Sequence, residues 1–161
     1  MLSYVPGCAG FAALIVRTDY ADEAAWRAVA EDLGRPWGRD GDFEPVIHLL
    51  DDPAWAGATP DQVLAAVGRD EELSVVFVAD RTTMTSPHRA LLALRVGADE
   101  GDEDLDPEYY RDLVDAPPAR EFRTVPAGVH DVHANLSIAN MDFQEYAEAA
   151  AEDPEGVFRG F

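Results

Sequence analysis

Three stretches of the chain put polar side chains where they could do chemistry. Asp19 follows one apolar run, Asp51 and Asp52 follow a second, and Asp80, Arg81 and Thr82 follow a third. If the runs are parallel strands, these groups share the carboxyl edge of one sheet, where open α/β folds bind ligands. Clustered carboxylates at that edge could hold Mg²⁺, whose oxygen ligands and retained waters suit phosphoryl chemistry. Accepting a phosphoryl group there would also require a Lys to pair with it, and the chain has none. No phosphate-cradling glycine loop is present either. The competing reading is architectural: Asp at a strand end starts turns and caps helices, with Arg17 and Arg81 pairing to these acids. That reading is the stronger one on sequence alone.

A second constellation is His130 and His133, with Asp131 between them. On a helix this pair faces one way and could share a metal. Zinc takes three or four ligands, so His48, His88 or an acid would have to arrive from elsewhere, and the spacing favours two ordinary helix residues. Cys8 is the only cysteine, which excludes a disulfide framework and a cysteine-based zinc site. The run Asp102-Glu103-Asp104-Leu105-Asp106 has acids at the first, third and fifth positions of a calcium loop. Pro107 stands where that loop requires Gly, and Leu113 where it requires a bidentate Glu. Neither Ser nor Cys occurs in a nucleophile-elbow pattern. The sequence offers no complete catalytic set, and no cofactor is expected.

The elements that would position these groups are legible from periodicity. Ala12 to Val16, Val46 to Leu50 and Leu73 to Ala79 are continuous apolar runs, as expected of strands covered on both faces. Between the first two, Asp22 caps a helix with Ala25, Trp26, Val29 and Leu33 at helical spacing, and Gly34 stops it. Between the second and third, Thr59-Pro60-Asp61 opens a helix that ends at Gly68. The alternation predicts two βαβ units. Ala90 to Val96 and Glu121 to Val125 read as two further strands without a helix between them, hence an antiparallel pair at the edge of the sheet. Val129, Val132, Leu136 and Ala139 predict a helix, and Asn140 caps another that carries Phe143, Tyr146, Ala147 and Ala150. Asp142 near that N-terminus suits the helix dipole. The expected fold is one α/β domain over residues 1–161: a mostly parallel sheet of about five strands, helices on both faces, and two C-terminal helices.

The charge is unusual. The 161 residues carry 32 Asp and Glu against 12 basic residues, a net charge of −20, and every basic residue is Arg. Nine of the acids fall in 98–119, a density that predicts a solvated acidic loop. Two readings of that balance compete. One is coding bias in a high-GC genome, which favours Ala, Arg, Gly and Asp codons and loses Lys; the other is a salt-rich cell or a cationic protein partner, since a strong negative field steers positive ligands. Coding bias is the stronger reading on sequence alone. Nucleic acid is disfavoured, because phosphate backbones demand basic clusters. No stretch approaches the length of about 20 apolar residues needed for a membrane span, so the cytoplasm is the expected compartment. The sequence leaves the oligomeric state open.

Three blocks carry a resemblance: Leu14-Ile15-Val16-Arg17-Thr18-Asp19 with Trp26, Val76-Phe77-Val78-Ala79-Asp80-Arg81-Thr82, and Asn135 to Phe143 with Gly156 to Phe161. Together they resemble an uncharacterised family of small proteins of unknown function, found chiefly in high-GC Gram-positive bacteria. The resemblance covers most of the chain and is most specific at its C-terminal block. It implies common ancestry without a mechanism, and the acidic tract looks like an insertion peculiar to this member. Within its motifs stand Arg17, Asp19, Asp80, Arg81, Asn135, Asn140 and Asp142, which become the candidate ligand-binding residues.

Two functions follow as expectations. The first is a non-catalytic binding domain whose acidic surface engages a cationic protein, in the manner of an immunity or antitoxin-like protein. The second is a small-ligand sensor or Mg-dependent enzyme that uses the Asp and Arg residues at the sheet edge.

Overall fold

The structure is a computed structural model that describes residues 12–36, 41, 44, 46–68, 73–96, 120–137 and 143–159. Its strands are β1 (Ala13–Arg17), β2 (Ile47–Leu50), β3 (Val75–Ala79), β4 (Leu91–Arg95), β5 (Glu121–Thr124) and β6 (Val157–Phe158). The helices are α1 (Glu23–Leu33), α2 (Pro60–Val67), α3 (Arg81–Thr85), α4 (Pro126–Ser137) and α5 (Phe143–Glu152), with a 3-10 turn at Pro53–Trp55. The strands form one sheet in the order β2-β1-β3-β4-β5-β6. β1 pairs in parallel with β2 and β3, β4 runs antiparallel to both its neighbours, and β6 is parallel to β5. This is the expected α/β fold. The antiparallel pair lies on the expected side of the sheet, but β6 adds a sixth strand outside it.

Connectivity dictates the layers. From β1 the chain moves outward to β2, then returns past β1 to β3. Crossovers of a single hand must then put α1 and α2 on opposite faces. They do. Trp26, Val29 and Leu33 of α1 share a core with Ala13, Ile15, Val75 and Phe77. Val63 and Val67 of α2 share the other core with Leu14, Val16, Val76 and Val78. All five residues of β1, and all five of β3, are buried. That explains why both strands read as unbroken apolar runs.

The C-terminal elements close the first core. Val129 and Val132 of α4, and Phe143, Tyr146, Ala147 and Ala150 of α5, pack there. Phe122 and Phe143 lie 4.9 Å apart between ring centroids, and Tyr146 meets Phe158 edge-on at 4.9 Å. Phe158 is thereby sealed in the core, and its strand partner is Thr124. Such aromatic contacts add about 0.5–1.5 kcal/mol each beyond area burial, which holds a two-residue strand in place. Phe158 thus holds the C-terminal segment to the body as part of the sheet. Cys8, the acidic tract 98–119, Asn140 and Asp142 lie outside the described residues.

Candidate functional site at the carboxyl edge of the sheet

β1 is where the strand order reverses, because its chain leaves toward β2 while β3 lies on its other side. The carboxyl ends of β1 and β3 therefore diverge into a crevice, as at the switch points of other open α/β sheets. The crevice has a volume of about 820 Å³, and Asp19, Tyr20, Asp22, Gly57, Asp80 and Arg81 are among the residues that line it. Three of the sequence candidates, Asp19, Asp80 and Arg81, thus meet at one site.

Arg17 lies behind that wall. It is the last residue of β1 and points to the α1 face, with only 1% of its surface exposed. Its Nε donates to the Asp19 carbonyl at 2.9 Å, its Nη2 to Glu23 at 2.8 Å, and its Nη1 to Asp51 at 3.3 Å. Its guanidinium also stands 4.1 Å from the Tyr20 ring centroid and 5.1 Å from that of Trp26. A planar, weakly hydrated cation suits this sandwich far better than an ammonium would. The Tyr20 hydroxyl is buried beside Asp51. Burial first, and then that carboxylate, push its pKa up to about 12.

Asp80 is equally committed. It caps α3 by accepting from the Thr83 N–H at 3.1 Å, while the Thr83 hydroxyl closes a capping box on the Asp80 N–H. Arg123 grips both carboxylate oxygens, at 2.8 and 2.9 Å. Burial alone would raise the Asp80 pKa. The hydrogen bonds and charge of Arg123, with the two donors of Thr83, outweigh burial and hold it below its ordinary value. Asp19 accepts from the Ala21 N–H in an Asx turn, and Asp22 caps α1 through Ala25. Asp19 and Asp22 each use one carboxylate oxygen in these bonds, and both residues line the crevice. Arg81 is exposed and makes no ion pair among them.

The remaining candidates stand elsewhere. Asn135 donates to the carbonyl and carboxylate of Asp131, at 2.9 and 3.0 Å, and Tyr146 donates to the same carbonyl. Burial raises the Asp131 pKa, with the Asn135 hydrogen bond opposing it. This cluster joins α4 to α5 and does not line the crevice. His130 is buried, and its Nε2 lies 2.9 Å from the Leu33 carbonyl. A carbonyl only accepts, so Nε2 carries the proton and satisfies the last turn of α1. Burial holds the His130 pKa below its ordinary value, with His133 adding to the effect and the Leu33 contact opposing it. Among the described residues no group of three or more His, Cys, Asp or Glu side chains is placed to hold a metal ion.

Sequence reasoning missed Arg123, Thr83 and Tyr20. Arg123 could have been flagged as a charge inside a short strand, at the position cross-strand from Leu92. Thr83 and Tyr20 carry no comparable signal.

Over residues 12–161, from β1 to the C-terminus, the chain matches the family described as a domain of unknown function (DUF6924). The chain belongs to the DUF6924 family. The matched stretch contains every element of the sheet and the whole crevice. No curated protein matches the chain. Among the described residues no helix is long and apolar enough to cross a membrane.

Proposed function

We propose that the protein is a non-catalytic binding domain that receives a cationic protein partner at the carboxyl edge of its sheet. The observation that carries this reading is the state of charge at the crevice. Arg17 and Arg123 are consumed by internal contacts with Asp51, Glu23 and Asp80, whereas Asp19 and Asp22 line the crevice, where Arg81 is the one cation among the described lining residues. A basic side chain entering the crevice meets carboxylates whose geometry is already fixed by Asx and N-cap hydrogen bonds. It need not organise them, and preorganisation lowers the cost of binding. The net charge of −20 would speed the encounter over a longer range.

An arginine-rich peptide is a suitable probe. Its affinity is expected to fall as salt rises, and to fall further for Asp19→Asn/Asp22→Asn, in which Asn preserves both hydrogen bonds. The charge-matched control is Glu145→Gln/Glu148→Gln on α5. Equal weakening by both pairs would show that the peptide senses only net charge, and would defeat the placement at the crevice.

The position of the crevice at a topological switch point favours one second reading, a sensor of a small cationic ligand. Binding of free arginine amide as tight as that of the peptide would select it.

A further inference from the structure

A second cavity shares no lining residue with the crevice. It encloses about 320 Å³ and is lined by residues that include Asp32, Arg35, Arg89, Pro126, Ala127 and His130. The sheet register builds it. β4 is antiparallel to β5 with Leu91 opposite Thr124, so the residues that precede β4 lie beside those that follow β5. Arg89 is carried in this way to the start of α4, where the C-terminal turn of α1 brings Asp32 and Arg35.

Three features mark the cavity as a place for an anion. First, two guanidiniums converge on a single carboxylate, Arg89 at 2.8 Å from Asp32 and Arg35 at 3.2 Å. Arg35 also pairs with Glu31 at 3.7 Å. Each guanidinium has five N–H donors, so each retains donors beyond these carboxylates. Their side chains are 44% and 65% exposed and can be reached from solvent. Second, Arg89 has φ of 50°, and it is the one non-glycine with positive φ among the described residues. A long side chain in that region is uncommon where Gly would be unstrained, and such residues cluster at ligand sites. Third, the lining itself carries two cations against one anion in a chain of net charge −20, with Glu31 pairing to Arg35 at 3.7 Å from outside the lining, and burial lowers the His130 pKa. The first turn of α4 adds its partial positive charge in the same direction.

We propose that this cavity binds a small oxyanion, a phosphate or a carboxylate, through Arg35 and Arg89, with Asp32 holding the two forks in place. The planar fork of Arg matches both anions.

The test is a titration of isotope-labelled protein with inorganic phosphate, and separately with succinate, at constant ionic strength set by chloride. Saturable amide shifts at Arg89, Ala127 and His130 are expected, and the anion that saturates first names the class. Arg89→Gly suits φ of 50° and removes the fork. It should weaken binding about tenfold, the effect of losing one charge-assisted hydrogen bond. Arg89→Lys keeps the charge and the Asp32 pair, and should fall between. Shifts that never saturate, or equal affinity in wild type and both variants, would overturn the proposal.

Discussion

Arg123 of β5 closes a two-pronged ion pair on Asp80, the residue that ends β3 and caps α3, with N–O distances of 2.8 and 2.9 Å. The pair spans β4, and its Asp80 lines the crevice. Val78, Leu92 and Arg123 are successive cross-strand partners, and Asp80 stands two residues beyond Val78 on the same face.

Asp80→Ala removes the helix cap and leaves Arg123 half-buried without its partner. The cost should be about 3 kcal/mol, from about 1 for the cap and the rest for the stranded guanidinium. Urea denaturation of Asp80→Ala, Arg123→Ala and the double variant should give a coupling energy of about 1–3 kcal/mol. Simple additivity would mean that the pair is ornamental. The folded-state pKa of Asp80 lies below the ordinary 3.8, so its stabilisation is complete above that pH and is lost as pH falls through the folded value. Asp80→Asn should therefore flatten the acid limb of the stability curve.

Arg17 is predicted to tolerate no replacement. Arg17→Lys keeps a charge but cannot serve Asp19, Glu23 and Asp51 together, nor stack between Tyr20 and Trp26. A loss of about 1–3 kcal/mol is expected from the missing charged hydrogen bonds. Arg17→Met should be no worse than Arg17→Lys, because Glu23 and Asp51 are exposed enough to turn to water. Midpoints from thermal and urea melts decide the order.

The pH dependence near neutrality should come from His130. Its pKa is below 6.5 in the folded protein, so on acidification the unfolded chain takes up the proton first. Stability is then full above about pH 6.5 and declines below it until the folded value is reached. His130→Gln retains an N–H donor for Leu33 and removes the titration. The urea midpoint of wild type should drop between about pH 7.5 and 5.5 relative to that of the variant. Parallel curves would remove His130 as the cause.

These predictions concern residues that the sequence exposed unevenly. β1 and β3 were legible because burial on both faces leaves no polar alternation to misread, and Asp22 and Thr59 announced their helices through capping chemistry. Periodicity does not reveal α3: its five residues are too few for an apolar stripe, and the Asp80–Thr83 capping box shows in the sequence only as polar groups at a strand end. β6 escaped for a similar reason, since two residues make no period. Arg17, Asp19, Asp80 and Arg81 were found as candidates because strand ends are where ligands bind. What each one touches was beyond reach: Arg17 meets Asp51 across 34 positions, and Asp80 meets Arg123 across 43. Such pairs are set by register and not by spacing. Asp80 caps α3 and pairs with Arg123, Asp19 forms an Asx turn and Asp22 caps α1, and all three also line a crevice that the sequence could only suggest.

Gly128 supplies the sharpest packing test. It lies in the first turn of α4, where a Cβ would stand 2.3 Å from the Thr124 hydroxyl and 3.6 Å from the Phe158 ring. Thr124 cannot swing aside cheaply. It is fully buried, and its single hydroxyl proton is shared between the carbonyls of Val125 at 3.0 Å and Phe158 at 3.4 Å. Gly128→Ala should thus cost about 1–3 kcal/mol by overpacking, despite the better helix propensity of Ala. Thr124→Ala vacates the space at the cost of those hydrogen bonds. If the clash is the cause, Gly128→Ala should cost less in the Thr124→Ala background than in wild type, with full relief of the overpacking leaving the helix-propensity gain of about 1 kcal/mol. An equal cost in both backgrounds would place the penalty in the backbone of α4 instead of the contact with Thr124.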